Sequence, residues 1–178
     1  MIPMTGVITI RPMADDDVDP FLDLFEEVAA EGRWIGTEAP IDRAQRRPLI
    51  ASGIANPDVG QFVAIEGADG DGLIVGQINI MRSAAGTSEL GMVVRDGYRS
   101  QGVGTRLLDA AIGWARAAGC HKVSLEAWPW NERAIGLYVK MGFEVEGTRR
   151  RHYRRRNGEL WSSVLMGLVL DEESPGQP

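Results

Sequence analysis

Cysteine is almost absent: Cys120 stands alone among 178 residues, so no internal disulfide can form and a disulfide-dependent, oxidising existence is excluded. No apolar run approaches the roughly 18 residues that a membrane helix needs. Residues 1–10 hold no basic stretch followed by an apolar block, so no secretory signal is expected and the chain reads as cytoplasmic. Histidine is scarce too, and no His, Cys and carboxylate group has zinc-like spacing, so no metal is expected. Positive charge is in deficit, 19 basic against 25 acidic residues for a net charge of −6. That balance disfavours nucleic acid and anionic membranes as partners. Internal repeats and linkers are missing as well. A single domain over residues 1–170 with a polar tail at 171–178 is expected.

What is present is an ordinary globular mixture, 44% hydrophobic and 25% charged, with its charge unevenly spread. Residues 1–60 carry 11 acids and 5 bases, whereas residues 148–178 carry 4 acids and 6 bases. The late bases form one cluster: Arg149, Arg150, Arg151, His152, Arg154, Arg155 and Arg156 around Tyr153. A solvated turn and edge strand explains such a cluster more simply than a dedicated anion site.

The periodicity gives an α/β order. Residues 7–12, β-branched and stopped by Pro12, read as a first strand. Asp15, Asp16 and Asp17 offer N-caps to a helix reaching about residue 31, with Phe21, Leu24, Phe25 and Val28 at helical spacing. A loop over 32–40 leads to a second helical pattern ending near residue 54, which Pro48 is expected to kink or split. Residues 61–66, 73–81 and 88–94 then read as antiparallel strands separated by turns at 67–72 and 83–86. A helix over 102–117, a buried strand over 122–127, a helix over 132–140 capped by Asn131, and strands over 143–147 and 160–170 follow.

The chemistry is concentrated in two stretches. Arg99-Ser100-Gln101-Gly102-Val103-Gly104-Thr105 follows a strand and opens a helix with two glycines. Free N–H groups of a first helical turn, with the helix dipole, suit a phosphate, and glycine lets the backbone come close. A Walker loop is excluded because no Lys followed by Ser or Thr comes after these glycines. The dinucleotide fingerprint is excluded because position 107 is Leu107 rather than glycine.

Arg99-x-x-Gly102-x-Gly104 resembles the acetyl-coenzyme-A pyrophosphate loop of the GNAT superfamily of N-acetyltransferases. Asn131-x-x-Ala134-x-x-Leu137-Tyr138-x-x-x-Gly142-Phe143 is similar to that family's second element, and Ile8-Thr9-Ile10-Arg11-Pro12 to its opening strand. The motif pattern is similar to that of ribosomal-protein alanine and small-amine acetyltransferases. The resemblance spans about residues 7–170. It implies a mixed, mostly antiparallel sheet of six to seven strands flanked by about four helices. It also implies an enzyme moving acetyl from acetyl-CoA to a primary amine; an amino acid, a polyamine, an aminoglycoside and an N-terminal peptide stay open. A non-catalytic acetyl-CoA sensor on the same fold is the alternative, and an RNA-directed acyltransferase is disfavoured by the charge. A homodimer is compatible with the family.

Roles follow residue by residue. The resemblance places Met92, Val93, Val94, Arg99, Ser100, Gln101, Gly102, Val103, Gly104, Thr105, Asn131 and Tyr138 against the cofactor. Tyr138, which could otherwise be a core aromatic, matches the tyrosine that protonates the departing thiolate. Asn131 is also a natural N-cap. Glu126, a carboxylate in an apolar strand, needs a partner or a role, and a glutamate at this spacing is the amine's base in the resembling alanine acetyltransferases. Glu89 is the rival base and a water chain the third reading. Trp34, Ile35, Thr37, Glu38 and Trp128 fall on the family's acceptor side. The acidic first third suits a cationic acceptor, while the arginine cluster suits a carboxylate or a coenzyme-A phosphate. Some relatives carry an acid where this chain has Ser162, and Cys120 reads as structural.

Overall fold

A computed structural model describes residues 6–67 and 72–171 of the chain. The expected turn at 67–72 lies mostly outside the described residues, as do residues 1–5 and nearly all of the tail expected at 171–178.

Seven strands form one sheet: β1 (Ile8–Pro12), β2 (Val59–Glu66), β3 (Leu73–Arg82), β4 (Thr87–Val94), β5 (Lys122–Ala127), β6 (Glu144–Arg154) and β7 (Leu160–Val169), in the order β1-β2-β3-β4-β5-β7-β6. All neighbours run antiparallel except β4 and β5, which are parallel. Four helices flank it: α1 (Val18–Ala30), α2 (Arg43–Ile54), α3 (Val103–Ala117) and α4 (Glu132–Lys140). This agrees with the architecture that the family resemblance implies.

The sheet separates two apolar layers. Val18, Phe21, Leu22, Leu24 and Val28 of α1 pack on Val63, Ile65, Ile74 and Val93. Leu107, Leu108, Ala111, Ile112 and Ala115 of α3 pack on Val75, Ile78, Ile80 and Val123 from the other side. β3 lies between both layers, so Ile74 to Ile78 is one buried run rather than an alternating one.

Three local expectations are corrected. Pro48 neither splits nor ends α2, which runs unbroken through it. That helix buries no residue completely, and Ala44, whose carbonyl loses its i+4 donor at Pro48, is exposed to water. Of the three aspartates, Asp17 stands at the N-cap position of α1, but its side chain accepts no N–H of that helix. The three form a 3₁₀ turn in which the Asp17 carboxylate accepts the Ala14 N–H at 2.7 Å and a two-pronged contact from Arg11. The strand expected over 143–147 begins one residue later, because Phe143 turns into the core, and continues to Arg154. β6 is one of the sheet's two edges, which places Arg149, Arg150, Arg151 and Arg154 on an edge strand as the charge pattern suggested.

Among the described residues no helix is long and apolar enough to cross a membrane, and no group of three His, Cys, Asp or Glu is placed to hold a metal ion.

Candidate active site

The parallel pairing of β4 with β5 covers only Thr87 to Glu89 against Lys122 to Ser124. Beyond it the two strands separate and open a cavity of about 410 Å³. Backbone direction alternates along a strand. Thr87 and Arg95 turn their backbone groups to β3-side partners, Ser83 N and Val75 O. Leu90 and Met92 therefore turn theirs toward the gap, where no partner strand satisfies them.

One end of the cavity is built by the glycine loop. Gly102 precedes α3 at φ +81°, a left-handed conformation that favours glycine, and no side chain caps the helix. The amides of its first turn are thus left for a ligand. Nothing lies within 4 Å of where a Cβ on Gly102 would stand. At Gly104 a Cβ would sit 3.0 Å from Leu137 Cδ2 and 3.4 Å from Met92 Cε, so glycine lets α3, α4 and β4 meet. Ser100, Gly102, Gly104, Thr105, Asn131 and Arg133 line this end. Asn131 Oδ1 accepts the Ala134 N–H at 3.3 Å and caps α4 as its spacing predicts.

Arg99 lines the cavity, but its guanidinium is occupied by the protein. Nε donates to Val94 O at 2.9 Å, Nη1 and Nη2 grip Glu31 at 2.8 and 2.5 Å, and the group lies over the Trp34 ring. Arg99 thereby ties the loop to the end of α1. Its hydrogen bonds hold the Glu31 carboxyl below its ordinary range. Arg133, by contrast, is an exposed cavity cation with no ion pair or hydrogen bond to another described residue.

Tyr138 sits midway, buried on α4 with its ring tilted against Phe143 at 5.8 Å. Burial pushes its hydroxyl up to about 12, so it stays protonated at any working pH. The hydroxyl makes no hydrogen bond, yet no buried side-chain oxygen or nitrogen among the described residues lacks a partner. The hydroxyl therefore opens onto the cavity, which Tyr138 lines.

The far end holds Trp34, Ile35, Gly36, Glu126, Trp128 and Tyr153. Glu126 accepts from Arg149 at 2.5 Å, from the Tyr153 hydroxyl at 2.7 Å and from the fully buried Ser163 hydroxyl at 2.6 Å. Burial first, and then the bond to Glu126, raise the Tyr153 hydroxyl above its ordinary range. Trp128 meets Tyr153 and Trp161 edge-on at 5.1 and 5.2 Å.

Several expected site residues stand elsewhere. Glu89 is exposed and does not line the cavity, nor does the core residue Val103. Gln101 turns its amide to the Gly97 carbonyl. Thr37 accepts from Arg46 and Glu38 is held by Arg155 and Arg156, so both brace the loop instead of facing the cavity. Ser162 receives the Arg151 N–H at 2.9 Å in a bulge of β6. The arginine cluster is divided: Arg149 serves Glu126, while Arg155 and Arg156 bind loop 32–40. Sequence reasoning passed over Arg133 and Ser163 and named Arg155 only as one of the arginine cluster, without its link to loop 32–40. Arg133, in the first turn after the Asn131 cap, carried a local signal; Ser163 carried none.

Residues 21–143 match the acetyltransferase (GNAT) family. An L-methionine sulfoximine/L-methionine sulfone acetyltransferase of Pseudomonas paraeruginosa is 28% identical over 144 residues, 78% of this chain and 81% of that protein. An L-amino acid N-acetyltransferase of Escherichia coli is 31% identical over 121 residues, 64% of this chain and 70% of its own. In fold, the chain superposes on a GNAT superfamily phosphinothricin acetyltransferase of Sinorhizobium meliloti in complex with acetyl-CoA at a TM-score of 0.81 and 20% identity, covering 96% of this chain and 92% of that one.

Proposed function

The chain belongs to the acetyltransferase (GNAT) family and is an acetyl-CoA-dependent N-acetyltransferase, and from that premise we propose that its acceptor is a free amino acid, taken by its α-amino group. The observation that carries this reading is the pairing of Glu126 with Arg149 at the far end of the cavity. An amino acid brings one ammonium and one carboxylate, and this end offers one carboxylate and one guanidinium side by side. Arg149 does not itself line the cavity, but it adjoins Glu126, which does, and its side chain is 45% exposed, which leaves part of its fork open to a carboxylate.

Charge placement argues against a polyamine or an aminoglycoside. Either needs several carboxylates, and Glu126 is the one acid among the lining residues. The acids of the first third point elsewhere: Asp17, Asp19, Asp23, Glu26, Glu27, Glu31 and Glu38 each pair with an arginine. The relatives named for L-methionine sulfone and for L-amino acids accord with this reading.

Acetyl-CoA supplies an activated acetyl group. The open amides of the first α3 turn and the free guanidinium of Arg133 suit its phosphates, while Arg99 holds the loop in shape. The gap-facing N–H of Met92 or Leu90 meets the thioester carbonyl and the charge that develops on its oxygen. Glu126, its plane fixed by three donors, receives the proton leaving the attacking nitrogen, directly or through the Tyr153 hydroxyl. Tyr138 returns a proton to the departing sulfur as the C–S bond breaks. The entering ammonium loses two protons on becoming an amide: one is matched by the proton that Tyr138 places on sulfur, and the other leaves through Glu126 to water. A cytoplasmic site of action accords with the lone, buried Cys120.

The test is an acceptor panel read by release of free coenzyme A. It covers L-amino acids, the same amines lacking the carboxylate, polyamines, aminoglycosides and N-terminal peptides. An L-amino acid should give the highest kcat/KM, and Arg149→Met should erase its advantage over the carboxylate-free amine. A polyamine or peptide in first place, or an unchanged advantage in Arg149→Met, overturns the reading.

A further inference from the structure

Arg155 is the one buried cation among the described residues, its side chain 4% exposed, and it stands outside the reaction described above. A buried guanidinium carries a desolvation penalty that only a full set of acceptors offsets. Its acceptors are unusual. Nη1 donates to the backbone carbonyls of Gly36 at 2.6 Å and Ile35 at 3.3 Å, and Nη2 lies 3.6 Å from Glu38 Oε1. The plane of the group stacks on Trp161 at 4.0 Å. The neighbouring Arg156 adds its N–H to Glu38 Oε2 and its Nη1 to Ala39 O.

All these acceptors belong to the loop over 32–40, more than a hundred residues earlier in the chain. That loop carries Trp34, Ile35 and Gly36, three of the residues at the far end of the cavity. The loop has no regular structure of its own to hold those side chains. Arg155 supplies the rigidity from the turn between β6 and β7, and Trp161 couples it to Trp128 through an edge-on contact. Gly36 completes the circuit, since a Cβ there would lie 3.8 Å from Trp128 Cζ2.

We infer that Arg155 is a positioning residue that fixes loop 32–40 against the β6–β7 turn, and through Trp34 and Ile35 sets the affinity for the acceptor without touching either substrate. This goes beyond the proposed acceptor and holds for whichever amine the enzyme takes. No hydrogen bond of Arg155 reaches the glycine loop, and its loop meets that end only through Trp34, which bonds Glu31 and lies under Arg99, so the Michaelis constant of the acceptor should move far more than that of acetyl-CoA.

The experiment compares wild type with Arg155→Met, which keeps the aliphatic stem on Trp161, Arg155→Lys, which keeps the charge for Glu38, and Glu38→Gln. Trypsin cleavage after the exposed Arg33, mapped by mass, reads the loop without any acceptor. Cleavage should accelerate roughly tenfold in Arg155→Met, the loss expected for charged hydrogen bonds, and less in the other two. With the best acceptor from the panel, KM for that amine should rise roughly tenfold while KM for acetyl-CoA changes far less, and Arg155→Lys should recover part of the loss. Unchanged protection of Arg33 in a folded variant overturns the inference, as do equal rises in both KM values. Should Arg155→Met fail to fold, the same two readouts on Arg155→Lys and Glu38→Gln decide it. If the panel finds a polyamine instead of an amino acid, the proposed acceptor fails while this inference is tested on that polyamine.

Discussion

Glu126 and Arg149 meet at 2.5 Å although their strands are not neighbours: β7 runs between β5 and β6, and its Ser163 donates to the same carboxylate. Three strands thus converge on one acid, and Tyr153 adds a second donor from β6. The arrangement explains how an apolar strand tolerates Glu126 between the buried Leu125 and Ala127.

Glu126→Gln keeps the shape and removes the carboxylate proposed as proton acceptor. Activity should fall by about 10²–10⁴-fold, the range for general base catalysis. The deficit should be largest at low pH, where the amine carries its proton most fully. Glu89→Gln, on an exposed carboxylate outside the cavity, should leave the pH–rate profile as in wild type. A larger loss from Glu89→Gln would move the role to β4.

Gly102→Asp should weaken acetyl-CoA binding in calorimetry. The new side chain enters a backbone at φ +81° and sets an anion beside amides that suit phosphate. Arg133→Glu should weaken it too, without lowering Tm, because the exposed Arg133 has no other described residue to lose. The defect should shrink as salt rises, since an exposed charge is screened.

The order of strands and helices was legible because each element carries its own period, cap or breaker: Asn131 before α4, Gly102 before α3, Gly119 before β5. The glycine-loop end of the cavity was legible for the same reason, since its residues fall in two short local motifs. The far end was not. Arg155 reaches Gly36 across the fold, and Glu126 finds Ser163 and Arg149 through strand order alone. Nor could sequence show that the acids of the first third face Arg43, Arg47, Arg95 and Arg99 instead of the cavity. Pro48 shows the reverse failure, where a strong local signal was overridden because the affected helix is solvated.

The Arg99–Glu31 clamp should govern cofactor affinity indirectly. Arg99 holds the Glu31 carboxyl below its ordinary value of 4.5, so the clamp contributes fully above that value and is lost only as pH falls through the lower, folded one. Wild-type affinity for acetyl-CoA should therefore show no loss from the clamp between pH 7 and pH 5. Glu31→Gln should bind acetyl-CoA more weakly at pH 7, with faster exchange of the amides of residues 97–102. Unaltered affinity would make the clamp a fold contact alone.

Tyr138→Phe separates chemistry from packing. The variant keeps the ring against Phe143, so the fold and acetyl-CoA affinity should change little. Loss of the proton donor should lower kcat by about 10²–10⁴-fold. A hydroxyl at about 12 is a weak acid, but a thiolate expelled into a dry cleft is a stronger base than in water, which brings the two closer. The same burial leaves a mark on stability. An unfolded tyrosine ionises near 10 and the folded one near 12, so the contribution is complete below 10 and is lost as pH climbs from 10 to 12. Two units correspond to about 3 kcal/mol. Denaturant midpoints measured at pH 9 and pH 11 should fall further for wild type than for Tyr138→Phe, and equal falls would show that the hydroxyl is not held in a desolvated cleft.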